Sequence, residues 1–220
     1  MKRAPRPRMR AARLQPVARQ AHLVQVAVHV FAQRGLGAAR PVDVAAAAGV
    51  AESTVFAYFP SREALMSAVL GEVDRFCSGV NQRVLHQVER PAPELVVELA
   101  RAFAEVVDTH PDHARVWLDW STAIRDDVWP RYLDFQERII AEVAKMIRRG
   151  QCQGTFDRDM FPEDEARVLY GSAQMAAQMK FTGRPARQVR RFLTSMATAT
   201  LRRMAPSGAR PGARGAGRRR

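Results

Sequence analysis

Absences narrow the reading of this chain first. No run of alternating β-branched residues bounded by turn chemistry occurs, so nothing is present from which to build a sheet, and the expected fold is all-α. No apolar run approaches the roughly 18 residues needed to cross a bilayer, so no membrane partner is expected. Cysteine is almost missing: Cys77 and Cys152 stand far apart with no CxxC, and no apolar leader opens the chain. That pattern fits a reduced, cytoplasmic setting. There is no Walker loop, GxSxG or HExxH, and no convergent set of reactive groups. An enzyme is therefore not expected, and no cofactor is called for. His110 and His113 lie near Asp108 and Asp112, but a His pair three apart around a proline is thin ground for a metal, and a solvated turn accounts for it.

What is present in excess is positive charge, +13 over 220 residues, and its position matters more than its size. Residues 1–20 hold seven basic groups and no acid, and residues 204–220 hold five, again with no acid. Without these twelve, 23 basic groups face 22 acidic ones, so the body is nearly neutral and the excess sits in two tails. Basic tails attract polyanions through counterion release, whichever polyanion is offered. The 47% hydrophobic content is enough to bury a core in one or two compact units.

The stretch from Pro41 to Leu65, PVDVAAAAGVAESTVFAYFPSREAL, reads as a helix-turn-helix followed by a supporting helix. Two segments, Pro41 to Ala48 and Glu52 to Phe59, are separated by Gly49, Val50 and Ala51, a Gly-containing turn of the length that motif requires. Val50, Val55 and Phe59 are placed to plug the angle between them. Glu52, Ser53, Thr54, Ala57 and Tyr58 are left on the outer face, where short polar side chains suit a major groove. An ordinary helical hairpin is the plainer alternative. Upstream, Pro16 suits a helix start, and Leu23, Val24, Ala27, Val30 and Phe31 recur at helical spacing until Gly35 stops the helix. Arg40 is a poor capping residue before Pro41 and is a candidate DNA contact. Arg8, Arg10 and Arg13 in the flexible arm 1–15 suit an adjacent minor groove. A merely solubilising tail is the alternative for that arm.

Ser61 caps the next helix, with Glu63 in its first turn and Arg62 placed to reach a phosphate. Leu65, Val69, Val73, Phe76, Val80 and Val84 predict a helix running to about Val88, longer than a three-helix head needs. Pro91 and Pro93 mark a break, after which every segment reads helical. Asp126 or Asp127 begins a long helix closed by Gly150, and Pro162–Phe181 and Pro185–Met204 finish the fold. The expected domains are a head over 16–60, a helical dimerisation and ligand domain over 61–203, and a basic tail over 204–220.

Trp117 and Trp120 have large apolar faces and N–H groups that need partners. With Phe76, Gln136 and Gln174 they would line an apolar pocket with a few polar handles for a small apolar ligand. A filled aromatic core is the alternative. Cys77 reads as a core residue rather than a redox sensor. Small residues such as Ala173 and Ala177 on one terminal helix, and Phe192 and Met196 on the other, suit a four-helix homodimer seam. Their alternative role is to close the monomer core.

Phe56-Ala57-Tyr58-Phe59 followed by Ser61-Arg62-Glu63 resembles the DNA-binding motif of TetR-type transcriptional regulators. The runs VFAQRGLGAARPVDVA, AESTVFAYFPSREAL and ARVWLDWSTAIRDDVWP, with the segment from Gly150 to Pro162, are similar to the LuxR/HapR/SmcR group of quorum-sensing master regulators. That resemblance implies a TetR fold and a homodimer on pseudopalindromic promoter sites in double-stranded DNA, able to repress and to activate. Ala57 departs from the group, which has Asn there, so a different sequence should be read. Gln174 stands in place of Cys and Gln136 in place of Asn, which implies a different ligand preference. A conventional ligand-released local repressor is the alternative function, and a non-specific architectural DNA protein a third.

Overall fold

A computed structural model of the chain describes residues 15–124 and 126–206. Among these residues every regular element is helical: α1 Pro16–Arg34, α2 Pro41–Ala48, α3 Glu52–Tyr58, α4 Arg62–Leu85, α5 Ala92–Thr109, α6 Pro111–Trp120, α7 Trp129–Cys152, α8 Pro162–Phe181 and α9 Ala186–Met204. None of these helices is long and apolar enough to cross a membrane. The chain divides into two compact units, one ending at Glu72 and the other beginning at Val73, so the boundary falls inside α4.

In the first unit, Leu23, Ala27, Val30 and Phe31 of α1 form the buried stripe that their spacing predicts. Leu36, Val44, Val55, Phe59, Leu65 and Val69 complete the core, each at most 4% exposed. Pro41 opens α2, and the Asp43 carboxylate accepts the Arg40 backbone N–H at 3.0 Å. Half of a capping box is thereby made from the helix side, which compensates for an arginine at the cap. Gly49 ends α2 at φ 65°, in the left-handed region open to glycine. The Val50 N–H then returns to the Ala45 carbonyl at 3.0 Å, closing a Schellman turn that aims α3 away from α2. Ser61 caps α4 as expected, accepting the Ala64 N–H at 3.1 Å.

In the second unit α5 packs along α9, and α8 packs along both α7 and α9. Val84, Leu95, Val96, Ile140, Val143, Ile147, Phe156, Ala166, Ala197 and Met204 form its main buried cluster. Three boundaries differ from the sequence reading. α4 ends at Leu85 because the buried stripe stops there; Val88 is 58% exposed in the turn before the prolines. α7 begins at Trp129, since turns and bends occupy residues 121–124 and 126–128 and Pro130 fits only a first helical turn. It also runs through Gly150, which is not its stop: a Cβ there would lie 2.3 and 2.7 Å from ring carbons of Phe156. That glycine makes room for the ring, and the left-handed glycine after this helix is Gly154, at φ 71°.

Candidate nucleic-acid interface and ligand cavity

Val55 is fully buried and Phe59 nearly so, which anchors one side of α3 to the first unit. Ser53, Phe56 and Ala57 are exposed, and Thr54 and Tyr58 are half-buried. Residues at i, i+3 and i+4 share a helix face, so the centre of the outward surface is Ser53-Phe56-Ala57, flanked by Thr54 and Tyr58. Phe56, 42% exposed, was missed by sequence reasoning, which set Phe59 in the core and Tyr58 on the outer face and gave Phe56 neither place. The available signal was angular: Phe56 lies three residues from Ser53, one turn along the same side.

Arg40 is exposed beside the start of α2, with its backbone held by Asp43. Arg62 corrects an expectation. Its Nε donates to the Ala39 carbonyl at 2.9 Å and its Nη2 to the Leu36 carbonyl, so the guanidinium braces the α1–α2 loop instead of facing outward to a phosphate. The reason is local: the loop's carbonyls have no helical partners, and a partly buried planar cation supplies two donors at once. Arg34 is paired with Asp43 at 3.1 Å. Over residues 15–72, Arg19, Arg34, Arg40 and Arg62 are matched in number by Asp43, Glu52, Glu63 and Glu72. This unit is therefore electrically balanced outside the arm. Arg8, Arg10 and Arg13 lie outside the described residues.

The second unit holds a partly open cavity of about 120 Å³. Its wall includes Cys77, Val80 and Asn81 of α4, Phe103 of α5, Trp117 of α6, Phe135 and Ile139 of α7, Tyr170, Ser172 and Ala173 of α8, and Met196 of α9. No lining side chain carries a formal charge at neutral pH. The polar groups are few and mostly engaged. The Asn81 amide donates to Glu142 at 3.4 Å and the Ser172 hydroxyl to the Val168 carbonyl at 2.7 Å. Trp117 Nε1 donates to the Tyr170 hydroxyl at 3.0 Å, which lies 3.0 Å from the Tyr132 hydroxyl; Gln174 donates to the latter at 2.9 Å. Burial, followed by the charge and hydrogen bond of Tyr132, pushes the Tyr170 phenol far above its ordinary range. Burial and the nearby Asp74 carboxylate push the Cys77 thiol up to about 12.

Of the five residues expected at a pocket, Trp117 alone is in this wall. Phe76 turns to His110 and His113, with ring centroids 4.8 and 4.4 Å away. Cys77, Val80 and Asn81 share the face of α4 toward the cavity, and one residue back rotates the side chain 100° off it. Trp120 belongs to the core: it is fully buried, stacked on Phe135, and its Nε1 donates to the Val128 carbonyl at 3.0 Å. Gln174 sits behind the wall on Tyr132, and Gln136 is half-buried outside the lining. Cys77 and Asn81 are among the residues missed, because a hydrophobic stripe read from sequence passes over polar members.

The expected dimer residues also make contacts within the chain, Ala177 fully buried and the other three half-buried. Ala177 is fully buried within one chain, Ala173 and Met196 line the cavity, and Phe192 packs against the cluster of Ala104, Ala176, Val189 and Leu193. Small residues on α8 let α9 and the cavity approach, while Ala173, Phe192 and Met196 remain half-buried and keep part of their surface open. The apolar side of α8 that stays open carries Val168, 38% exposed, and Met175, 47% exposed, with exposed Gly171 between them.

Comparison with known proteins matches this architecture. The profile of the bacterial regulatory proteins of the tetR family matches residues 23–69, which span α1 to the first turns of α4. The chain is 32% identical to the HTH-type transcriptional regulator LuxR of Vibrio harveyi over 169 residues, covering 76% of this chain and 80% of LuxR. It is 29% identical to the HTH-type transcriptional repressor KstR2 of Mycolicibacterium smegmatis over 150 residues, covering 66% and 71%. A transcriptional regulator from Saccharomonospora viridis, solved in complex with choline, superimposes with a TM-score of 0.72 at 23% identity, covering 83% of this chain and 96% of that one. With a helix-turn-helix in the matched segment and a likeness that continues well past it, the chain belongs to the TetR family of DNA-binding transcriptional regulators.

Proposed function

We propose that this regulator acts in the cytoplasm as a homodimer on pseudopalindromic promoter sites, in a role like that of quorum-sensing master regulators, repressing some genes and activating others. The observation that carries the role is the reach of the likeness to LuxR: 169 residues cannot be supplied by the helix-turn-helix alone, so the second unit shares in it. Two copies of α3 enter successive major grooves, with Ser53, Thr54 and Tyr58 at bases or phosphates and Arg40 at the backbone. Half-sites are then one or more helical turns apart, about 34–36 Å per turn.

The balanced charge of residues 15–72 bears on the arm. Lys2, Arg3, Arg6, Arg8, Arg10 and Arg13 are six cations without an acid among the first 14 residues. Attraction to phosphate therefore comes chiefly from the arm, with Arg8, Arg10 and Arg13 in the adjacent minor groove. Self-association uses the Val168-Gly171-Met175 side of α8, an apolar strip left open on each chain.

The cavity takes a small, uncharged, mostly hydrocarbon ligand, because its wall offers neither a cation for a carboxylate nor an ionised acid for an amine. Cys77, Val80 and Asn81 give such a ligand contact with α4, the helix whose start at Arg62 braces the α1–α2 loop. A ligand with different affinity for two settings of α4 shifts the population between them and so alters DNA binding. The presence of the cavity also favours a second reading, a ligand-released local repressor. Footprinting bound sites across the genome, with expression profiling of a deletion strain, separates the two. Dozens of dispersed targets changing in both directions support the master-regulator role, whereas derepression confined to neighbouring genes removes it.

A further inference from the structure

The chemistry of the outward face of α3 says what kind of base it reads. The helix is Glu52-Ser-Thr-Val-Phe-Ala-Tyr58, and it contains no Arg, Lys, Asn or Gln. The bidentate pairs that pick out guanine and adenine are therefore unavailable to it. At the centre of the exposed face stand two hydrocarbon groups, the Phe56 ring and the Ala57 methyl, beside one hydroxyl, Ser53. In the major groove thymine is the base that offers hydrocarbon, its 5-methyl group, where the others offer only donors and acceptors. A phenyl ring 42% exposed on a seven-residue helix is also a cost in the free protein, which contact with an apolar group on the partner removes.

We infer that Phe56, together with Ala57, is a specificity-determining residue that reads thymine 5-methyl groups in the major groove. This rests on the placement of α3 in that groove. Buried from water, one methyl is worth about a four-fold change in affinity, so a site altered in both half-sites changes by roughly fifteen-fold.

The test uses the full-length chain and a duplex selected by it from a random library. Thymines of the selected site are replaced one at a time, then in both half-sites, by deoxyuridine, which removes the methyl and leaves every hydrogen-bonding group in place. Affinity for each duplex is measured for the wild-type chain and for Phe56→Ala, an exposed position whose substitution leaves the core intact. The expected result is a four-fold loss at one or two thymines per half-site, about fifteen-fold for the symmetric replacement, with most of that loss gone in Phe56→Ala. Equal binding of thymine and deoxyuridine duplexes would overturn the inference. So would a deoxyuridine penalty of the same size in the variant, since the methyl would then be read by another group. Recovery of no preferred sequence would remove the groove placement and the methyl reading together, and it is recognised by the wild-type chain binding all duplexes alike.

Discussion

Ala173→Leu puts the cavity to a quantitative test. A closed void of about 120 Å³ would cost about 3 kcal/mol at roughly 24 cal/mol per Å³, an upper bound for this partly open space, which gives natural selection a reason to fill it unless it is used. Leucine brings three more carbons into the wall. At about 0.8 kcal/mol per buried methylene this is worth about 2.4 kcal/mol, less about 0.5–1 kcal/mol for the rotamer freedom of the new side chain. A net gain of about 1.5 kcal/mol should raise the melting temperature by about 3–6 °C for a chain of this size. Urea unfolding should show the same shift as a higher midpoint with an unchanged slope. Because Trp117 is in the same wall, its fluorescence reports occupancy, and small neutral aromatics that perturb it in the wild type should fail to do so in the variant. A lower midpoint would mean that the space beside Ala173 cannot accept a side chain and that the cavity is not what it is taken to be. A variant sedimenting as monomer where the wild type sediments as the proposed dimer, with the midpoint unmoved, would return Ala173 to a subunit seam.

Other perturbations have equally definite outcomes. Met175→Glu places a charge on the open apolar strip of α8 and should shift sedimentation of the protein toward monomer; an unchanged dimer would put the seam elsewhere. Deleting residues 1–14 should flatten the dependence of DNA affinity on salt, by about 0.9 in log–log slope for each phosphate no longer neutralised, and an unaltered slope would show that the arm does not touch DNA. Gly150→Ala gains about 1 kcal/mol of helix propensity but drives a Cβ into Phe156, and should be net destabilising by about 1–2 kcal/mol in chemical denaturation. Exposed Cys152 should react with a thiol reagent in the native protein well before half-buried Cys77, whose thiol is kept protonated by burial. With a folded pKa raised from 9.0 to about 12, Cys77 is protonated in both states below pH 9, so it adds no pH dependence there. Between pH 9 and 12 the unfolded thiol ionises first, and stability should fall with rising pH; a Cys77→Ala variant lacking that fall would identify its source.

Sequence and tertiary structure contributed different things. The helix-turn-helix was legible because its determinants are local: Pro41 at a first turn, Gly49 at positive φ, a serine cap at 61, and a period that buries Val55 and Phe59. The all-helical class and most helix ends followed for the same reason, that short-range sterics and hydrophobic spacing act within a few residues. The cavity was not legible, because a wall is made where side chains from six helices meet, and a rotation of 100° separates Phe76 from the lining while admitting Cys77. Gly150 shows the same limit: its composition reads as a helix stop, yet the Phe156 ring that needs the space comes from a later loop. The chain's own pattern thus determined which segments are helices and which of them form the helix-turn-helix. Only the packing of those helices against one another decided which residues of each are spent inside, since burial depends on neighbours that spacing along one strand of sequence cannot name.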